Sequence, residues 1–244
     1  MFDVVVSVII PTKNSAKTLE HTLMALKKQT FSKFEIIIAD GGSTDETIML
    51  ARRFGAYIIS DKQLDNPAKA RNYAARIARG KILAFLDADC IPPPDWLERA
   101  VKTLNQLTNN GIKVGAIGAT YVPPTSSSNF NKVVFATMQL HIVSGGTPQV
   151  KQYFNVRRVS NLPGGNMIIF KHVFFEVGGF DERLTYCEDV EICQRLIQHG
   201  YDIMYVPGLE VVHLKTQDKI SDFARYMYIY GKGRGKAIII NHKL

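Results

Sequence analysis

The sequence predicts an α/β fold, a mostly parallel sheet with helices on both faces, and three observations carry that expectation. Apolar β-branched runs alternate with amphipathic helical segments as far as Leu86. Glycine, proline and small polar residues punctuate each switch. The candidate strands are continuous apolar runs, the pattern of strands buried on both faces.

Val4–Ile10 is the first run, closed by Pro11, and the following "NSAKTLEHTLMALKKQ" brings Leu19, Leu23 and Leu26 to one helical face behind an Asn14/Ser15 cap. Glu35–Ala39 is a second strand, and "DGGSTDETIMLARRFG" adds a turn, a Ser43 or Thr44 cap and a helix that Gly55 can end. Ala56–Ser60 is a short third strand. "NPAKARNYAARIARG" is a helix with Pro67 in its first turn and Gly80 past its end, and Ile82–Leu86 is a fourth strand. Then come a helix in "PPPDWLERAVKTLNQL", a strand in "KVGAIGATYV", a turn-rich loop in "PPTSSSNFN" and a mobile surface connection over Gly145–Pro163. "GGNMIIFKH" predicts a short strand, and "CEDVEICQRLIQHG" a helix with Glu188 and Asp189 in its first turn. One domain over residues 1–214 is expected, followed over 215–244 by a basic amphipathic extension in which Ile220, Phe223, Met227 and Tyr230 share a helical face.

At 244 residues and 46% hydrophobic, the chain can bury a substantial core and is neither disordered nor fibrous. Lys+Arg (30) exceed Asp+Glu (22), and the resulting +8 favours anionic partners: nucleotides, nucleic acid or an acidic membrane surface. Cys90, Cys187 and Cys193 contain no CxxC pair, which argues against a disulfide framework or zinc knuckle and fits a reducing cytoplasm. The N-terminus lacks the basic segment of a signal peptide, and no apolar run is long enough to cross a bilayer.

Ligands of open α/β sheets bind outside the carboxyl ends of the strands. The polar residues found there are Thr12 and Asn14, then Asp40, then Asp87 and Asp89. Singly, each is an ordinary turn or cap residue. Their coincidence at successive strand ends points to a site. Asp87 and Asp89 are separated only by Ala88 and would repel each other without a cation, so a hard divalent ion, Mg²⁺ or Mn²⁺, with a phosphate-bearing ligand accounts for both. Arg71, near the start of its helix, can meet phosphate oxygens or equally lie on a solvated face.

The segments "VSVIIPTKN", "IIIADGGSTDET", "NPAKARNYAARIARGKILAFLDADC", "LPGGNMIIFKH", "GGFDERLTYCEDVEICQRLIQHGYDIMYVP" and "VVH" together resemble family 2 glycosyltransferases of the GT-A, Rossmann-like fold, in register from about Val4 to His213. The resemblance implies a nucleoside pocket lined by Pro11, Thr12 and Asn14, with Asp40 accepting a hydrogen bond from the base of a UDP- or GDP-sugar and Arg71 near base and diphosphate. It implies that Asp87 faces ribose and metal, with Ala88 between it and Asp89, the ligand of a diphosphate-bridging metal. Gly164, Gly165 and Asn166 would lie beside donor sugar and acceptor, with Glu188 next to them. Asp189 would be the general base toward a glycan or lipid-linked acceptor, and His213 would stand near the metal. Lys13 replaces an aromatic residue common in the first motif.

The implied chemistry is coherent. A cation stabilises the leaving diphosphate while a carboxylate takes the proton of the incoming hydroxyl, and in-line attack inverts the anomeric carbon. Simpler roles exist: helix N-terminal charge complementation for Asp189 and Glu188, worth about 0.3–1 kcal/mol, and a core histidine or strand-end turn for His213. The basic, aromatic tail fits either a helix packed on the domain or a peripheral contact at the cytoplasmic face of a membrane, and "YGKGRGKA" resembles stretches that precede membrane helices in some family members. Two rivals differ in class. "AFLDADC" also resembles the start of a haloacid-dehalogenase-type phosphatase, but Ile91 and three prolines follow it; a nucleic-acid-binding protein has only the positive charge in its favour.

Overall fold

In the computed structural model, which describes residues 3–138, 152–215 and 219–241, the first four apolar runs lie side by side. They are β1 (Val6–Thr12), β2 (Phe34–Asp40), β3 (Tyr57–Ser60) and β4 (Ile82–Leu86), all parallel, with Val8 opposite both Ile36 and Ala84. The second half of the sheet contains β6 (Val114–Gly118), β8 (Arg157–Arg158), β9 (Asn166–Phe170) and β10 (Asp202–Tyr205). The strand order is β3-β2-β1-β4-β9-β6-β10-β8. β9 runs antiparallel to both β4 and β6, and β8 antiparallel to β10, so the mostly parallel sheet is mixed. A separate three-stranded sheet joins β5 (Cys90–Ile91), β11 (Val211–His213) and β7 (Tyr121–Val122).

Alternation along β1 sends Val8 and Ile10 to one face and Ile9 to the other. The first face is covered by α1 (Ala16–Lys27), α2 (Thr47–Arg53) and α4 (Trp96–Asn109), through Leu23, Leu50 and Trp96 among others. The second is covered by α3 (Pro67–Ile77), α6 (Lys171–Glu176) and α7 (Glu188–Gln198). There Phe85 packs against Phe174 and Phe180 with ring centres 5.2 and 5.1 Å apart.

Asn66 caps α3 by accepting from the Lys69 N–H, with Pro67 at the first position, and Gly55 follows α2 at φ 72°. The α2 start differs from expectation. Neither Ser43 nor Thr44 caps it; the helix begins at Thr47, whose N–H donates to the Asp45 carboxylate, and the other Asp45 oxygen accepts from Ala16 at the start of α1. One acid thus ties two helix starts together. Residues 145–151 of the expected Gly145–Pro163 connection lie outside the described residues, and the remainder contains the edge strand β8.

The tail is helical as α8 (Ile220–Asn241) and packs on the body. Phe223, Tyr226 and Met227 meet Val134 and Met138 of α5 (Asn129–Met138), while Ala237 joins Leu184, Cys187 and Val190. Ile220 falls on that face by helical spacing but, as the first residue of the helix, is 73% exposed. No helix among the described residues is long and apolar enough to cross a membrane.

Candidate active site

A cleft of about 530 Å³ opens at the carboxyl ends of β1 and β4. The small sheet assembles one part of it from three distant segments. Cys90 pairs with His213 and Tyr121 with Val211, and the Leu214 N–H donates to the Asp89 carbonyl at 2.8 Å. His213 Nε2 therefore lies 3.5 Å from Asp89 Oδ1, and its ring stacks on Tyr121 at 4.7 Å. The Tyr121 hydroxyl donates to Asp87 Oδ2 at 3.2 Å and accepts the Gly165 N–H at 3.1 Å.

Arg71 joins this cluster to the start of α7. Its guanidinium is only 3% exposed and donates to Asp87 Oδ1 at 2.7 Å and Glu188 Oε1 at 2.6 Å. The solvated-face alternative is thereby removed. Cys187, at φ 65°, turns the chain into α7, and Asp189 behind it accepts from Gly164 N–H at 3.0 Å and Val190 N–H at 2.8 Å. The two glycines let the chain pass between these acids. A Cβ on Gly165 would run into the Asp87 carboxylate, and one on Gly164 would come within 3.2 Å of Asp189.

Burial dominates the electrostatics. It pushes the Glu188 carboxyl up to about 7 even though Arg71 pulls the other way and Asp189 adds repulsion. It raises Asp189 too, more than the two backbone N–H donors lower it. Asp89 is raised by burial and by Asp87, with His213 opposing. Burial would also deprotonate Arg71, but Asp87 and Glu188 hold it charged.

Asp87, Asp89, Cys90 and His213 each offer a ligand atom, all within 4.8 Å of one another. The Cys90 thiol is driven well above 9.0 by burial, so the usable donors are two carboxylates and an imidazole. That oxygen-rich set suits Mg²⁺ or Mn²⁺, and positive charge there would relieve the mutual repulsion of Asp87 and Asp89.

Pro11, Thr12, Arg71, Asp87, Ala88, Asp89, Glu188, Asp189 and His213 all line the cleft. Asp40, Asn14, Gly164, Gly165 and Asn166 stand behind it. Asp40 is fully buried and accepts from the Thr12, Ser43 and Ser60 hydroxyls and from the Gly42 and Ser43 N–H groups. Those five donors saturate a carboxylate expected to face the base. Asn14, at φ 52°, has its N–H on Ser43 Oγ and its side-chain oxygen on the Thr44 N–H. Asn166 accepts from the Trp96 indole and donates to the Ala119 and Leu209 carbonyls, a buried brace under the floor. Tyr121 was not singled out by sequence reasoning, nor were Val134, Phe135, Met138 and Tyr226, which also line the cleft; Tyr230, expected only on the apolar face of the tail helix, lines it as well.

Residues 7–172 match the family model described as glycosyl transferase family 2, and residues 149–218 match one described as N-terminal domain of galactosyltransferase. The chain belongs to glycosyltransferase family 2 and has the GT-A fold. It is a nucleotide-sugar-dependent glycosyltransferase, which sets aside the phosphatase and nucleic-acid-binding alternatives. Glycosyltransferase AglE of Haloferax volcanii is 31% identical over 237 residues, covering 94% of this chain and 72% of that protein. Succinoglycan biosynthesis protein ExoA of Rhizobium meliloti is 27% identical, covering 94% and 68%. Among solved structures, the mannosyltransferase PcManGT from Pyrobaculum calidifontis, in complex with GDP-Man and Mn²⁺, superposes with a TM-score of 0.63 at 23% identity, covering 85% of this chain and 56% of that one. GalNAc-T7 with UDP, GalNAc and Mn²⁺ gives 0.65 at 19% identity, covering 88% and 44%. The chain spans about half the length of these two structures.

Proposed function

We propose that the protein transfers a hexosyl group from a UDP- or GDP-sugar to a hydroxyl of a glycan or lipid-linked acceptor, inverting the anomeric carbon. The observation that carries this reading is that a buried carboxylate, Asp189, shares one cleft with the Asp87, Asp89 and His213 cluster. The complexes of PcManGT with GDP-Man and of GalNAc-T7 with UDP support the donor class. Pro11, Thr12 and Lys13 line the end of the cleft above β1 and receive the nucleoside, while Asp40 and Asn14 hold the loop behind them. A divalent cation on Asp87, Asp89 and His213 would offset the charge that develops on the departing diphosphate.

Asp189 acts as general base. The acceptor oxygen forms its bond to the anomeric carbon as the bond from that carbon to the diphosphate breaks, and the hydroxyl proton passes to Asp189. Burial that lifts the Asp189 carboxyl above its ordinary 3.8 strengthens it as a proton acceptor. The Gly164 and Val190 N–H groups fix its direction. Arg71 is the positioning residue that couples Asp87 to Glu188. Three free thiols and the basic segment 215–244 appended to the 1–214 catalytic unit support a place at the cytoplasmic face of a membrane.

The test is Asp189→Asn, assayed by transfer from the donor to a hydroxyl acceptor. Turnover should fall roughly 10²–10⁴-fold, while calorimetric affinity for UDP or GDP with Mn²⁺ stays unchanged. Near-wild-type turnover would take the base role away from Asp189.

A further inference from the structure

The two sides of the cleft differ in kind. The donor side presents Thr12, Asn66, Arg71, Asp87, Asp89 and His213, whereas the side built by α5 and α8 presents Val134, Phe135, Met138, Tyr226 and Tyr230, with Asn131 as its one amide. Aromatic rings alone would suit a sugar face. Val134 and Met138 have nothing to offer hydroxyl groups and match hydrocarbon. This wall adjoins the chemistry: burial lifts the Tyr226 phenol to about 12, and the Asp189 charge adds to the rise.

The same helix has a second, independent face. At about 100° per residue, Phe223, Tyr226, Met227, Tyr230 and Ala237 fall on one arc of α8. That arc is the half-buried to buried one. The opposite arc carries Tyr228 and Ile239, exposed at 73% and 65%, with Arg225 and Lys232 exposed beside them. Asp222 is the acidic residue of α8, against Arg225, Lys232, Arg234 and Lys236. Apolar and basic residues on one outward face of a helix that cannot span a bilayer complement an anionic membrane surface.

We infer that α8 is the lip between membrane and active site: its outer face rests on an anionic bilayer, and its inner face with α5 guides the apolar chain of a lipid-anchored acceptor toward Asp189. This rests on the glycosyltransferase reading and narrows its acceptor to the lipid-linked class. The close crossing of α8 over the segment before Glu188 fits that role. A Cβ at Gly233 would come within 2.8 Å of the Tyr186 side chain, so glycine there lets the helix lie directly on the loop that leads into the acids.

The experiment uses the full chain and two probes. Co-sedimentation with phosphatidylcholine vesicles, with and without one quarter phosphatidylglycerol, compares wild type with the outer-face double variant Arg225→Glu/Lys232→Glu. Binding to the anionic vesicles should fall roughly tenfold or more in the variant. Thermal stabilisation of wild type by octyl β-glucoside below its micellar concentration should exceed that by methyl β-glucoside and should vanish in Phe135→Asn. Calorimetry with UDP or GDP and Mn²⁺ runs alongside on each protein. Indifference to phosphatidylglycerol, or equal responses to the two glucosides, with nucleotide binding intact, overturns the lipid inference and leaves the transferase reading standing. Loss of nucleotide binding in wild type removes both. If Phe135→Asn does not fold, the vesicle comparison and the wild-type glucoside comparison still decide.

Discussion

Asp40 and the Glu188–Asp189 pair are buried carboxylates from the first and last thirds of the chain, and they are treated in opposite ways. Asp40 meets five donors, and although burial works against its charge, the Ser43 hydroxyl and N–H, then Ser60 and Thr12, bring its carboxyl below the ordinary 3.8. Asp189 has two backbone donors and Glu188 has Arg71, and for both burial wins and the carboxyl is raised. Saturated charge holds a loop together. Under-compensated charge costs stability and remains available to a ligand or a proton.

The sharpest way to break this comparison is to neutralise each side. Asp40→Asn replaces an acceptor of five hydrogen bonds by an amide with two unwanted donors, so the fold should lose about 3 kcal/mol or more, roughly 6–12 °C in Tm. Asp189→Asn should leave Tm unchanged or slightly higher. Differential scanning calorimetry measures both, and a larger loss for the Asp189 variant would contradict the division between structural and functional acids.

A smaller effect follows in pH. The lowered Asp40 carboxyl contributes stability that is complete above the unfolded value near 3.8 and is lost as pH falls through its lower folded value. Glu188 has the opposite sign: raised from 4.5 to about 7, its contribution is complete below 4.5 and is lost as pH rises through about 7. Glu188→Gln should therefore flatten the stability profile between pH 4.5 and about 7, by an amount on the order of 2 kcal/mol. Urea titrations across that range test it, and an unchanged slope would mean that Glu188 is ionised throughout in the fold.

The regular half of the molecule was legible because its signals are local. β-Branched runs, the Asn66–Pro67 helix start and Gly55 after α2 each follow from backbone preferences of neighbouring residues. Asp87 and Asp89 were legible for a similar reason, as acids at the end of an apolar strand, whereas Glu188, Asp189 and His213 rested on the family resemblance. What escaped depends on distant partners. Two-residue strands such as β5, β7 and β8 have no periodicity, and the antiparallel setting of β9 is decided by the strands on either side of it. Whether Asp40 faces a ligand or its own loop rests on Ser43, Ser60 and Thr12 arriving together, and no spacing along the chain encodes that count. Ile220 lies on the expected helical face yet stays 73% exposed, because helical spacing gives the side of a helix and not how far along it the body reaches.

Tyr121 tests the comparison at its finest grain, because it carries both treatments in one side chain. Its hydroxyl partly satisfies Asp87 while bridging to the Gly165 N–H, and its ring backs His213. Tyr121→Phe keeps the ring and the stacking but deletes the bridge, leaving Gly165 N–H without that acceptor and Asp87 Oδ2 free to turn. The stability loss should be modest, about 1–2 kcal/mol. Hydrogen bonds that orient a metal-binding carboxylate commonly contribute roughly 10–100-fold to metal affinity, so Mn²⁺ binding followed by electron paramagnetic resonance should weaken by roughly tenfold. A purely structural tyrosine would lower Tm without moving the Mn²⁺ titration. An unchanged titration would place the orienting of Asp87 with Arg71 alone, whose guanidinium holds the other carboxylate oxygen at 2.7 Å.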